Sequence, residues 1–200
     1  MFTLRIKRLI DVSVAAVLLS LCLPLLLVLG AIVRIDSPGP ALYRRRVLGR
    51  GGRAFDALKL RTMHCDGDAR LAARPDLLEQ LQRDHKLTDD PRVTRCGHWL
   101  RRASLDELPQ LWNVLRGDMS LVGPRMISPP EIERYGAHAD ALLAVQPGLT
   151  GLWQVSGRSD LPPTERVRLD LTYVAQRSLA LDMQLLWRTI PAVLRGRGAH

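Results

Sequence analysis

The densest chemistry in this chain lies between Ser104 and Arg125, in the run SLDELPQLWNVLRGDMSLVGPR. Adjacent carboxylates (Asp106 and Glu107), an amide (Asn113), a third acid (Asp118) and Arg116 and Arg125 share this one stretch, and Arg101 and Arg102 lie just upstream. Carboxylates beside fixed cations suit a site for anionic, metal-bound phosphates. The cations hold the phosphates while a carboxylate attacks phosphorus or binds metal. A plainer reading stands beside this one. Ser104-x-x-Glu107 is also a capping box, which many helices use to satisfy their first N–H groups, and taken alone it is the more ordinary reading. Pro109 conflicts with a helix that begins at Ser104, because it removes a backbone bond there. A helix starting a residue or two later leaves Asp106 at or near its positive end.

The rest of the chain must position these groups. Two hundred residues suffice for one domain with a real core, and 46% apolar content excludes a disordered tail. The 29 Lys and Arg residues against 20 acids, a formal charge of +9, call for an anionic partner: a phosphorylated substrate, an anionic membrane face or nucleic acid. Aromatic content is only 4%, and no zinc-finger spacing or basic-aromatic interleaving is present, so nucleic acid is not expected. Cys22, Cys65 and Cys96 are odd in number and widely spaced, which argues against a disulfide framework or a zinc site and fits a reducing setting.

Before the core of the chain comes a short basic segment (Arg5, Lys7, Arg8) and then the apolar run Val12 to Val33, longer than the roughly 20 residues that cross a bilayer. A cleaved signal peptide fits poorly, because the run is too long and no small-x-small site ends it. A single span fits the length. Against it stand Pro24 near the middle and basic residues on both flanks, with Arg34 and Arg44 to Arg46 following, since positive flanks mark the cytoplasmic side. A helical hairpin bent at Pro24, entering and leaving by one face, satisfies both ends.

Asp36-Ser-Pro-Gly-Pro40 reads as a turn, and Ala41–Val47 with Ala54–Leu60 as a β-hairpin around Gly49 to Gly52. Its second arm leads into Lys59-Leu-Arg-Thr-Met63, whose cations either hold phosphate or mark a solvated strand face. Asp66 to Lys86 is a polar surface helix interrupted by Pro75, and His64 and His85 are isolated. A basic helix, Arg92 to Arg102, follows the Asp90-Pro91 turn. Beyond the central stretch, Pro129-Pro130 starts a helix, and residues 146–158 are glycine-rich without forming a recognised nucleotide loop. Pro162-Pro163 opens another helix, and Leu179–Leu194 is amphipathic enough for a core or a membrane interface.

Assembled in order, these parts resemble the bacterial sugar transferase family, the small monotopic phosphoglycosyl transferases. The resemblance runs from Lys7-Arg-Leu-Ile-Asp11 and Pro24 through Lys59-Leu-Arg-Thr-Met63, Asp90-Pro-Arg-Val-Thr94 and Leu100 to Arg125, then Pro147-Gly-Leu-Thr-Gly151 and Gly157-Arg158. It implies transfer of a phosphosugar from a UDP-sugar to a polyprenyl (undecaprenyl) phosphate with release of UMP, which initiates exopolysaccharide, O-antigen or capsule-type glycans. By motif matching it assigns the catalytic and metal-binding dyad to Asp106 and Glu107. Asp106 forms a phosphosugar-aspartyl intermediate, and Mg²⁺ is the cofactor. Phosphate binding falls on Lys59, Arg101 and Arg125, and the membrane hairpin break on Pro24. Gln146 stands where a basic residue is usual. The expected architecture is α+β: a re-entrant membrane hairpin at 1–36 and a compact cytoplasmic catalytic domain at 37–200, with a small β-hairpin and interfacial amphipathic helices. Its expected place is the bacterial inner membrane, with the catalytic domain on the cytoplasmic face. The segment Trp153 to Asp160 is closer to members that transfer hexose phosphates. The competing expectation is a catalytically silent, membrane-anchored scaffold, which loss of the dyad or of the phosphate cations would favour; neither is lost.

Overall fold

The computed structural model describes residues 2–84, Leu87 and residues 90–195. His85, the end of the 66–86 segment and the last five residues of the 37–200 unit lie outside these. The described chain is rich in helix, with two small two-stranded sheets and one long apolar helix at its start.

That helix, α1 (Phe2–Asp36), contains Pro24 and continues through it, so it is one element rather than two. Proline removes one internal bond and can bend a helix without ending it. Leu4–Asp36 is long and apolar enough to cross a membrane. Val17, Leu21, Leu25, Leu27 and Val28 leave its middle exposed and apolar. Its two flanks are held by the same folded body. At the first, Arg8 donates to the carbonyls of Val114 and Leu115 at 2.6 and 2.9 Å, and Asp11 accepts from Ser120 and from the Leu121 N–H. At the second, Leu29 and Val33 pack with Leu60, Cys96 and Leu100, and the Cys96 N–H donates to Asp36 at 3.0 Å.

The predicted hairpin is present as β1 (Leu42–Leu48) and β2 (Ala54–Leu60), antiparallel with Leu42 opposite Leu60 and Leu48 opposite Ala54. Its turn needs left-handed backbone at Gly51 and Gly52, where φ is 70° and 73°. Val47, Phe55 and Ala57 face inward onto Leu111, Val114 and Met119, the main core. Pro75 divides the polar surface segment into α2 (Gly67–Ala72) and α3 (Pro75–Asp84). The basic helix α4 (Arg95–Arg102) begins three residues later than expected, at Arg95, and is capped by Thr94, whose hydroxyl accepts from the Gly97 N–H at 3.0 Å.

After a 3₁₀ turn at Leu105–Glu107 comes α5 (Gln110–Arg116), closed by Gly117 at φ 89°. β3 (Ser120–Val122) then pairs in parallel with β4 (Gly148–Thr150). A Cβ on Gly148 would collide with the backbone of Gly123, so this glycine-rich segment serves close backbone packing. Between the strands, the helix expected after Pro129 is present as a 3₁₀ stretch, Pro129–His138, followed by α6 (Ala139–Leu143). The chain ends in α7 (Pro163–Gln176) and α8 (Leu179–Arg195). A buried network ties the two termini together: Lys7 donates to Asp182 at 2.7 Å, and Tyr173 donates to the same carboxylate at 2.8 Å.

Candidate active site

The capping box expected at Ser104 is not formed. Ser104 takes left-handed backbone, φ 56°, and its side chain caps nothing. The box occurs instead at Ser128 and Glu131. Because α5 starts only at Gln110, Asp106 is not at a helix end either. It sits in the preceding 3₁₀ turn, 6% exposed, and the positive field around it comes from side chains.

Those side chains arrive from separate elements. Lys59, next to last in β2, places its ammonium 2.7 Å from Glu107 and 3.7 Å from Asp106. Arg125, after β3, grips Glu107 from the other side at 2.6 Å. Arg101, in the last turn of α4, is oriented by a 2.9 Å bond from its Nε to the Thr62 hydroxyl. The structure therefore brings together all five predicted site residues. Pro24, the predicted hairpin break, is not among the residues lining their cleft.

The two adjacent acids have opposite surroundings. Burial opposes the charge of Glu107, but Arg125 and Lys59 outweigh it and hold the carboxylate well below its usual range. Among the described residues Asp106 accepts no hydrogen bond, and burial raises its pKa against the pull of Lys59, Arg101 and Arg125. Glu107 is a clamped anchor; Asp106 is a carboxylate with free lone pairs in a cationic wall.

Other polar residues of the central stretch belong to the scaffold. The Asn113 side chain accepts from the Leu58 N–H and donates to the Asp56 carbonyl, both at 2.9 Å, so it splices α5 to β2. Asp118 pairs with Arg116 and does not line the cleft. Arg61 is buried and donates to backbone carbonyls of Pro40 and Ser37, so the two cations of Lys59-Leu-Arg61 divide, one to the site and one to structure. Gln146 donates to the Gly117 carbonyl and is likewise structural.

The cleft measures about 1150 Å³ and contains groups that sequence reasoning did not assign: Arg134, Trp153, Arg158, Arg166 and Asp170. The guanidiniums of Arg125 and Arg166 lie 5.8 and 5.3 Å from the centre of the Trp153 ring. Burial draws the pKa of Arg158 and Arg166 down, and neighbouring arginines add to it. Both guanidiniums line the same cleft as the dyad. Arg158 also holds strained left-handed backbone at φ 54°. Asp170, fully buried, accepts from the Tyr135 hydroxyl at 2.8 Å and from the Arg125 N–H at 3.2 Å, and burial lifts its pKa to about 7. Arg158 carried a prior signal through its Gly157-Arg158 motif and Trp153 through the 153–160 segment; Arg134, Arg166 and Asp170 are isolated in the sequence.

No cluster of three or more His, Cys, Asp or Glu residues suited to a metal occurs among the described residues. The donor set of Asp106 and Glu107 nevertheless fits Mg²⁺, which is held by one or two carboxylates together with waters and substrate phosphates rather than by an all-protein cage.

Residues 2–196 match the bacterial sugar transferase family, and the chain belongs to that family. It is an enzyme of the phosphoglycosyl transferase class. It is 45% identical over 198 residues to the exopolysaccharide production protein ExoY of Rhizobium meliloti, covering 97% of this chain and 88% of that one. Identity is also 45% to a Caulobacter vibrioides protein named UDP-glucose:undecaprenyl-phosphate glucose-1-phosphate transferase, covering 97% of this chain and 72% of the relative. The undecaprenyl-phosphate galactose phosphotransferase of Salmonella typhimurium is 43% identical, and there the match covers 98% of this chain but 42% of the longer relative.

Proposed function

We propose that this protein transfers a hexose-1-phosphate from a UDP-sugar to a polyprenyl phosphate, releasing UMP, through a phosphosugar-aspartyl intermediate on Asp106. The observation that carries the reading is the contrast inside the dyad: Glu107 is held at both edges by Lys59 and Arg125, whereas Asp106 accepts no hydrogen bond among the described residues. An Asp106 oxygen attacks the sugar-bearing phosphorus of the donor. The bond from that phosphorus to the bridging oxygen breaks, and UMP leaves with the electron pair. A phosphate oxygen of the lipid then attacks the same phosphorus and breaks its bond to Asp106, which regenerates the carboxylate. No net oxidation occurs, and the carboxylate needs no proton removed in either step.

Lys59, Arg101 and Arg125 offset charge at the transferring phosphoryl group, and Glu107 keeps two of these cations in place. Arg158 and Arg166, on the Trp153 side, hold the other phosphate. When bound at Asp106 and Glu107, Mg²⁺ would add Lewis-acid polarisation of the phosphoryl oxygens. Relatives named for galactose and glucose support a hexose. The product would feed exopolysaccharide, O-antigen or capsule assembly, and a relative named for exopolysaccharide production supports the first.

The place of action is the cytoplasmic face of the inner membrane. Both flanks of α1 grip one folded body, while the apolar middle around Pro24 is exposed. This supports a helix that dips into one leaflet and returns, with basic residues at both ends on one side.

Purified protein incubated with UDP-galactose or UDP-glucose and no lipid should give one burst of UMP, with a phosphosugar mass on the peptide containing Asp106. UMP that appears only with lipid present would replace this scheme by direct transfer in a ternary complex.

A further inference from the structure

The cleft has a second character away from the dyad. Lys7 pins α1 to α8 through Asp182 at 2.7 Å. Beyond that pin, Val14 and Leu18, one helical turn apart on α1, line the same cleft as Leu186, Ala192 and Val193 of α8. Leu149 of β4 lines it as well. The adjoining face of α8 carries Met183, Trp187 and Ile190, all exposed and none lining the cleft, so the helix turns one apolar edge outward and another to the cleft. Leu18 is itself 40% exposed and adjoins the apolar middle of α1. One continuous cavity thus has a cationic end, built from Lys59, Arg101 and Arg125, and an apolar arm beside the membrane helix. At about 1150 Å³ it lies just above the usual size range for a ligand pocket, roughly 300–1,000 Å³.

We infer that the arm between α1 and α8 holds the first isoprene units of the lipid acceptor, which approaches sideways from the bilayer with its phosphate toward Asp106. The inference rests on the transferase reading above and adds where the acceptor lies. An occupant with an anionic head and an apolar tail matches both ends of the cavity at once, and a free nucleotide or a soluble phosphate matches only one. The arm is continuous with the exposed surface of α1, so the tail need not leave an apolar environment to deliver its phosphate. Apolar contact along the arm then contributes to acceptor affinity and none to donor affinity.

Filling the arm tests this. Ala192→Phe and Leu186→Trp should raise KM for polyprenyl phosphate about tenfold, which is what losing roughly two buried CH₂ groups costs. The burst of UMP from UDP-sugar without lipid should keep its amplitude and rate in both variants. Ile190→Trp, on the outward face of α8, should change neither. An equal rise in KM for Ile190→Trp, or a burst that falls in parallel with turnover, would overturn the assignment. A photoreactive residue at Val193 gives a measurement that does not depend on turnover. In vesicles containing phosphatidylethanolamine, phosphatidylglycerol and polyprenyl phosphate, it should crosslink to the polyprenyl chain. Crosslinks to phospholipid alone would show that the arm is ordinary membrane contact. Absence of the lipid-free burst in the wild-type protein would sink the covalent scheme, while the KM comparison and the crosslink would still decide the arm.

Discussion

Charge is buried in two places in this protein and treated in opposite ways. In the network that joins the chain's two ends, every carboxylate is saturated. Asp11 takes the Ser120 hydroxyl at 2.8 Å and the Leu121 N–H at 3.1 Å, and Asp182 takes Lys7 and Tyr173. Around the cleft the acids are served unequally, and Glu107 alone of the dyad is clamped, by Lys59 and Arg125. Asp106 accepts no hydrogen bond among the described residues, and burial and neighbouring cations draw Arg158 down in pKa. A low-dielectric interior tolerates charge that is fully partnered and penalises charge that is not. The saturated cluster is architecture. The unsaturated one is the arrangement that the proposed phosphoryl transfer requires.

The sharpest test of that contrast exchanges one acid in each cluster. Asp106→Asn should remove turnover by more than a thousandfold and leave thermal stability unchanged or raised, because it neutralises a carboxylate whose pKa burial lifts. Asp182→Asn takes from Lys7 its nearest carboxylate, leaving it the Val122 carbonyl at 3.2 Å and Asp11 at 3.9 Å, and should cost about 1–3 kcal/mol of stability, with turnover per folded molecule largely kept. Thermal melts beside specific activity separate the two, and the reverse pattern would refute the comparison.

Asp170 belongs to neither cluster and has a pH signature. Its folded pKa of about 7 exceeds the ordinary 3.8, so the folded state binds the extra proton between these values. Stability therefore falls as pH rises from about 4 to 7, by up to about 4 kcal/mol for the full shift, and levels off above. Asp170→Asn keeps an acceptor for the Arg125 N–H and should flatten that slope in denaturation curves taken at several pH values.

The cations make a smaller comparison. Arg101→Gln should lower turnover about ten- to a hundredfold, the worth of a charge-assisted bond of roughly 1.5–3 kcal/mol felt at the transition state. Arg70→Gln, which removes an exposed pair with Asp66, should change turnover little. Equal effects at the two positions would mean that the phosphate pocket is misplaced. The smallest expected effect is at Ser104, whose left-handed backbone immediately precedes the dyad turn. Ser104→Gly should stabilise the fold by about 1 kcal/mol or less, read from the melting temperature.

Much of this was legible in the amino-acid order, because it depends on neighbours along the chain. Glycines at the turn predicted the β-hairpin, Pro75 the break between α2 and α3, and the apolar run the membrane-competent helix. The acid pair and the flanking cations marked the candidate site. Local pattern misled wherever two arrangements share one signature. Ser104-x-x-Glu107 and Ser128-x-x-Glu131 have the same spacing, yet only the second caps, since Pro109 and the left-handed Ser104 divert the first. Asn113 and Asp118 carry the right chemistry for a site and serve the scaffold instead. Lys59, inside β2, and Arg61, just past its end, come to opposite uses.

Residue types and short spacings therefore set many of the elements, the candidate dyad and the cationic character. Only the tertiary structure decided which charges are satisfied. Asp170 meets Tyr135 across 35 residues and Lys7 meets Asp182 across 175, and no local rule reaches that far. The same holds for Arg158 and Arg166 facing the dyad, and for the apolar arm between the first helix and the last. Whether a buried charge is a brace or a reactive group depends on what surrounds it in space.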